Sequence, residues 1–460
     1  MFLYSFVLFV RQIYEFLIIF AFQLLNFMNL IVDRTVMPAI NDIADFKIKK
    51  PKMTVMRNGM KLYVMDAGTE DVVRLDLVIG SGQLQQDMPL QAMMTNRMLR
   101  EGTGSMSSAE IAEKLDFYGA WLDLSSSVNS GFVTLYSLGK YFEKTVEIVA
   151  DMVRNPVFPE RELRIVTDMN RQQFMVNAQR VEVMARKKLN VEMFGKEHPL
   201  GRFAEYDDYD MIDCKAVTDF YLKNYHSGNC SVYVSGRVTE NVLKCVERCF
   251  GTDAWGQVRK MESVVLPSPS KTGMKRVFVE KEDALQSSVK MGLFVPERKH
   301  HDFLDLRVAV TLLGGYFGSR LMKNIREDKG YTYGIGAGIV SYPGVSMMIV
   351  TSETANEYVE PLISEVYREI GILKSEPVGK DELNMVKNYM LGDLCRAYEN
   401  VLSLSDAWIF VHTSELDEDF FERSADSIRN ITEKRIMELA NLYLKEDGLL
   451  EVVAGKCGSL

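Results

Sequence analysis

This chain has few of the residues that usually carry metal or redox chemistry. Its 460 residues include five histidines (His198, His226, His300, His301, His412) and six cysteines (Cys214, Cys230, Cys245, Cys249, Cys395, Cys457). No histidine stands at a metal-ligand spacing from a Glu or another ligand-bearing His. The scattered thiols make no disulfide framework and indicate a reducing compartment. Cys245 and Cys249 lie one helical turn apart, but no nearby His or Cys completes a metal site, so both are expected as buried thiols. Basic residues are also in deficit: 54 Lys and Arg against 63 Asp and Glu leave a net charge of −9. No Lys/Arg cluster with interleaved aromatics appears, which excludes a nucleic-acid-binding surface.

Long apolar runs are missing as well. The longest uncharged stretch near the amino end, Phe16 to Val32, is interrupted by Gln23, Asn26 and Asn29 and falls short of the ~20 apolar residues of a spanning helix. It also lacks the basic start and small-residue cleavage site of a signal peptide. A membrane partner is therefore not expected, and the chain is assigned to the cytoplasm. Met28 opens a segment that reads as a natural start, so residues 1–27 are expected to lie upstream of the true start codon. The alternative is a membrane anchor or export signal.

What is present is a large globular composition, 47% hydrophobic and 25% charged. That length and balance call for two or more domains. From Thr54 the chain reads as two related halves of about 200 residues, too long a period for a solenoid. In the first, Val72–Ile79 is a strand, Pro89 to Arg100 a helix, and Ser107 with Glu110 forms a capping box for a second helix ending at Gly119. A strand follows at 120–128. In the second, Ser287–Val295 is a strand, Arg307 to Lys329 holds a helix, a Gly-Gly turn and a helix, and Tyr331–Ser341 is a strand. The segments Cys230–Gly236 and Leu449–Gly455 close the two halves alike. The Pro/Ser/Gly-rich run Leu266–Gly273 is a linker. The expected organisation is a hydrophobic extension and lead-in (1–52), an N-terminal domain (53–252), a linker (253–275) and a C-terminal domain (276–460).

The segment from Gly318 to Gly334 is the most informative. It reads as a helix stopped by Gly330 and followed at once by a strand, which folds Arg326 toward Tyr333. A guanidinium and a phenol aimed at one spot suit capture of a peptide carbonyl or an oxyanion, although such charged runs before a glycine are commonly just solvated helix ends. On the strand, Gly334, Gly336 and Gly338 are expected on one face, and Tyr333, Ile335 and Ala337 on the other. Two explanations for the bare glycine face stand side by side: close packing against a helix or bulge, and a flat surface along which an extended peptide passes.

These motifs resemble the insulinase-like (pitrilysin-type) zinc metallopeptidases, which include the mitochondrial processing peptidases. The likeness runs from Thr54–Tyr63 through Gly80-Ser81-Gly82, Glu101-Gly102-Thr103, His198-Pro199-Leu200-Gly201 and the Phe220–Tyr225 run to the Arg326/Tyr333 element. It covers about residues 50–458. The resemblance implies an α+β fold of two homologous α/β-sandwich halves, each a largely antiparallel sheet with helices packed on it, with two such chains closing around a chamber. It also implies that Arg326 and Tyr333 bind the substrate backbone, and that His198 sits in a structural turn.

One departure from the family decides the expected function. Active members carry H-x-x-E-H on the helix before the Glu-Gly-Thr element. The matching positions here are Met93, Asn96 and Arg97, and the third ligand, a glutamate downstream, falls on Gln173, or on Gln172 if the register slips. Zinc needs His, Cys or carboxylate ligands, and catalysis needs a carboxylate beside the metal-bound water. This chain is therefore expected to hold no zinc, and these four positions to form an ordinary helix–helix packing surface. The expected role is the catalytically silent, substrate-binding subunit of a heterodimeric zinc metallopeptidase. A homologous partner supplies zinc and general base, and Arg326 and Tyr333 hold the peptide substrate. The alternative is a structural pseudo-peptidase with no part in proteolysis.

Overall fold

The computed structural model describes residues 35–37, 43, 47–258 and 273–456. The described residues from Lys47 onward belong to one compact unit. The amino-terminal extension up to residue 34, residues 259–272 of the expected linker and Cys457 lie outside the described residues.

This unit contains two sheets built to one plan. The first comprises β1 (Lys52–Val55), β2 (Lys61–Asp66), β3 (Val72–Ile79), β4 (Trp121–Ser126), β5 (Gly131–Leu138) and β6 (Cys230–Gly236), in the order β1-β2-β6-β3-β5-β4. The second comprises β7 (Arg276–Glu280), β8 (Gln286–Val295), β9 (Thr332–Tyr342), β10 (Val345–Ala355) and β11 (Leu450–Gly455), in the order β7-β11-β8-β10-β9. Apart from β1, the two orders coincide strand for strand. In each sheet one pair is parallel, β2 with β6 and β7 with β11, and every other pair is antiparallel. This is the internal duplication, and the sheets are largely antiparallel as expected.

The helices that matter for the site are α1 (Gln91–Met98), α2 (Ser108–Phe117), α3 (Phe142–Arg154), α4 (Glu160–Ala178), α5 (Val181–Phe194), α6 (Cys214–Asn224), α7 (Phe303–Val310), α8 (Val359–Ser375), α9 (Val401–Thr413) and α10 (Glu433–Tyr443). The capping box at α2 forms as read: the Ser107 hydroxyl accepts from the Glu110 amide, and the Ser107 amide donates to Glu110 Oε2 at 2.8 Å. Strand alternation builds the first core. Val73, Leu75, Leu77 and Ile79 of β3 are wholly buried against side chains of α1, α3 and α6. Each such side chain contributes about 1.5–3 kcal/mol by leaving water.

The opposite face of each sheet is covered by a helix from the other half. Ile409 of α9 packs on Tyr63, Val78 and Tyr233 of the first sheet, and Asp406 reaches Arg74 at 2.5 Å. The Tyr233 hydroxyl and His412 Nδ1 are 2.9 Å apart, and Trp408 Nε1 donates to the Lys49 carbonyl. Reciprocally, Ala185, Leu189 and Met193 of α5 form a core with Val277, Met347 and Val452 of the second sheet. The halves are thus clasped by exchanged helices.

Cys245 and Cys249 are buried. Burial pushes both thiols above their usual range, Cys249 to about 11, so they stay protonated and inert. Among the described residues no helix is long and apolar enough to cross a membrane.

Candidate functional site

The first region is α1 and what faces it. The helix starts after Leu90, whose left-handed backbone (φ 71°) sets a sharp entry. Gln91 Nε2 donates to the Ala216 carbonyl and anchors the helix on α6. Met94 and Met98 point into the core, while Met93, Asn96 and Arg97 line a cavity of about 500 Å³. Its other walls are the Leu124–Val128 segment at the edge of the first sheet, and Arg202, Phe203 and Ala204 just after the His198 turn. The expectation of a closed packing surface is therefore corrected. Met93 and Arg97 are four residues apart on a face that α4 covers only in part, so that face opens into a void.

The chemistry of that wall does not fit zinc. Asn96 is 1% exposed, and its Nδ2 donates to the Phe132 carbonyl at 3.3 Å and the Tyr225 hydroxyl at 3.2 Å. Arg97 donates through Nη1 to Asn170 Oδ1 on α4. A thioether, an engaged amide and a guanidinium offer no anionic ligand, and Arg97 repels a cation. Gln172 and Gln173 sit on the exposed part of α4. The contact from α4 to Arg97 comes from Asn170, one turn earlier than Gln173. Among the described residues, the His/Cys/Asp/Glu grouping with metal-ligand geometry is His300-His301-Asp302, in the loop before α7 rather than on α1 or α4. Its Asp302 is already engaged by Arg435 and Tyr443. His198 occupies a buried turn, where its Nδ1 accepts from the Leu200 amide at 3.0 Å.

The second region is the end of the helix before β9. After α7 the chain widens into a π turn over Thr311–Gly315, and the helix carrying Arg326 is itself π-helical over Met322–Asp328. Wide turns of this kind recur at functional positions. Leu321 and Ile325 are wholly buried, and Asn324 Nδ2 donates to Glu365 at 2.8 Å and Glu369 at 2.7 Å on α8. Gly330 turns the chain with φ 68°. Arg326 Nε then donates to the Tyr333 carbonyl at 3.0 Å, and its guanidinium carbon lies 4.7 Å from the centre of the Phe317 ring.

Tyr333 does not share a face with Ile335 and Ala337, which corrects the alternation read from sequence. Ile335 and Ala337 are buried, whereas Tyr333 is 92% exposed. The cause is a β-bulge: Ser352 pairs with Ile335 and Thr354 with Thr332, so Tyr333 and Gly334 together oppose the single residue Glu353. Hydroxyls hold the bulge. Thr332 Oγ1 lies 2.6 Å from the Glu353 carbonyl, Ser352 Oγ donates to the Gly334 carbonyl at 2.9 Å, and Thr354 Oγ1 to the Tyr331 carbonyl at 2.6 Å. Both explanations of the glycine face hold in part: the bulge takes in Gly334, a Cβ at Gly336 would lie 3.6 Å from the Gly314 carbonyl, and the rest of the face is open. A Cβ at Gly334 or Gly338 would meet nothing within 4 Å, and β9 is the edge of its sheet.

Sequence reasoning missed Phe317, Asn170, Arg202 and the bulge hydroxyls. The dense Thr/Ser spacing on β9 and β10 was the only signal for the bulge.

The comparisons with known proteins agree with this architecture. The family described as Insulinase (Peptidase family M16) matches residues 63–203, and the Peptidase M16 inactive domain matches residues 212–390. The uncharacterized zinc protease YmxG of Bacillus subtilis (strain 168) is 22% identical over 357 residues, 76% of this chain and 85% of that protein. The probable inactive metalloprotease YmfF of the same organism is 21% identical over 236 residues, 51% of this chain and 54% of that protein. Among solved structures, a peptidase M16 inactive domain from Pseudomonas fluorescens aligns with a TM-score of 0.77 at 21% identity, covering 88% of this chain and 98% of the other. A protease from Helicobacter pylori aligns with a TM-score of 0.80 at 17% identity, covering 88% and 100%. With the two matches together spanning most of residues 63–390 and the same fold in the solved structures, the chain belongs to the insulinase family of peptidases, M16.

Proposed function

We propose that this chain is the catalytically silent, substrate-binding subunit of a heterodimeric zinc metallopeptidase working in the cytoplasm. The observation that carries the reading is the contrast between the two regions. The zinc positions hold Met93, Asn96 and Arg97, while the Arg326/Tyr333 element is fastened by a bulge that presents an exposed tyrosine. A homologous partner supplies zinc, its ligands and the general base, and this chain supplies Arg326 and Tyr333 to grip the backbone of the scissile peptide. Its two domain-like halves, 53–252 and 276–460, form one side of the chamber. The exposed glycine face of β9 leaves room for an extended peptide beside Tyr333.

A structural, non-proteolytic role is the second reading. It is favoured by the bond from Arg326 Nε to the chain's own Tyr333 carbonyl, which uses part of the guanidinium internally. One experiment separates the two: peptide turnover by the assembled complex, with wild type and with Arg326→Ala/Tyr333→Phe. A loss of about 10²–10³ in turnover is expected for removal of an oxyanion donor. Unchanged turnover supports the scaffold, and a partner equally active without this chain refutes the substrate-binding reading.

A further inference from the structure

The cavity beside α1 has not simply lost a metal site. Arg97 and Arg202 are among its lining residues, and no Asp or Glu is. This is unusual in a chain of net charge −9. Neither cation has a carboxylate partner among the described residues. Arg97 donates to the neutral Asn170 side chain, and Arg202 Nη1 donates, at 3.4 Å, to the Asp87 backbone carbonyl. Two guanidinia facing an uncommitted void attract an anion and can bind it in a forked, charge-assisted geometry.

The depth of the cavity adds a second requirement. Asn96 is 1% exposed, and its Oδ1 has no hydrogen-bond partner. Its orientation is fixed chemically, because the Phe132 carbonyl is purely an acceptor and must face the amide NH₂. A buried acceptor left unpaired costs free energy that a ligand N–H recovers. An inorganic anion such as fully ionised phosphate brings no N–H. A peptide carrying a carboxylate brings both, and 500 Å³ accommodates a few of its residues.

We infer that the former zinc centre is a carboxylate-binding pocket, in which Arg97 and Arg202 hold a peptide carboxylate and Asn96 Oδ1 accepts a neighbouring amide N–H. The inference rests on the peptide-binding reading above and deepens it. The carboxylate has two possible sources, a free C-terminus or an acidic side chain.

The test is fluorescence anisotropy on the purified full chain with three labelled octapeptides: a neutral one ending in a free carboxylate, its C-terminal amide, and an amide containing one Glu. At least one carboxylate-bearing peptide is expected to bind about tenfold or more tighter than the neutral amide. A preference for the free acid identifies the terminus as the source, and a preference for the Glu amide identifies the side chain. In Arg97→Gln/Arg202→Gln the preference collapses to less than about twofold. Both arginines are exposed, so the variant is expected to keep the wild-type thermal midpoint and circular dichroism. Equal binding of all three peptides, survival of the preference in the variant, or no binding of any peptide at millimolar concentration overturns the inference. Arg326→Ala/Tyr333→Phe should weaken all three peptides alike and leave their ratio intact. If that variant changes nothing while the ratio persists, the substrate-grip reading fails and the carboxylate pocket stands.

Discussion

Replacing Arg74 with Met tests the clasp between the halves. Arg74 is 7% exposed on the outer face of the first sheet, where Nη2 donates to Asp76 Oδ1 at 2.8 Å and to Asp406 Oδ1 at 2.5 Å. Asp76 is 1% exposed and keeps only the Thr134 hydroxyl at 2.7 Å once the guanidinium is gone. Removing one partner of a buried pair costs about 3–5 kcal/mol. The orphaned carboxyl can limit that cost by taking a proton, and holding it protonated at pH 7, three units above its ordinary value, costs about 4 kcal/mol. The two figures agree, so a loss of about 4 kcal/mol is expected in urea unfolding at pH 7. The sign of the pH dependence follows. Burial already holds the Asp76 carboxyl above the usual carboxylate range despite Arg74, so its own titration adds stability as pH falls. Without Arg74 that value rises further, and the deficit relative to wild type should shrink steadily between pH 8 and pH 4. Asp406→Asn, at an exposed partner, should cost no more than about 1 kcal/mol. Arg74→Met/Asp76→Leu should recover most of the loss. A pH-independent deficit, or one below about 1 kcal/mol at pH 7, would refute the reasoning.

Three further outcomes are expected. A Cβ at Gly314 would lie 2.6 Å from both the Ala337 Cβ and its backbone nitrogen, so Gly314→Ala should lose about 1–3 kcal/mol by denaturant titration, whereas Gly334→Ala, with open space at its Cβ, should change stability by no more than about 0.5 kcal/mol. Ser107→Ala removes the hydroxyl that caps α2 and should cost about 1 kcal/mol in the same assay. Elemental analysis of untagged chain should find well under one zinc per molecule, and stoichiometric zinc surviving mild chelation would overturn the assignment of Met93, Asn96 and Arg97 to the ligand positions.

What was legible in the sequence was local. β3 and β8 fall on the residues read as strands, and α2 starts at its capping box, because alternation and capping are decided within a few residues. The pairing of Arg326 with Tyr333 was legible as proximity, but not in detail. A bulge depends on the register of β10 against β9, and one extra residue was enough to turn the tyrosine from the core face to solvent. The cavity was illegible because helical spacing shows that Met93 and Arg97 share a face without showing whether a neighbour fills the space before it.

The exchanged helices were hidden for a more general reason. Arg74 and Asp76 alternate with Val73, Leu75 and Leu77, a pattern that by itself reads as a sheet with one wet face. That face is covered because α9, more than 300 positions away, packs Ile409 on it and brings Asp406 to Arg74. The second sheet repeats the device with the same signs: Lys290, buried on β8, bonds Thr351 at 2.8 Å and lies 3.4 Å from Glu182 of α5. Lys290 holds the place in its sheet that Asp76 holds in the first, and Thr351 holds the place of Thr134. A charge on either sheet is therefore stable in its buried place only while the other half lends a helix. The two halves share one sheet order, and in each the covering helix brings a carboxylate to a buried cation of the sheet. Helix α9 also reaches the edge of the first sheet beside the α1 cavity, where Asn129 Nδ2 donates to the Thr413 carbonyl at 2.8 Å.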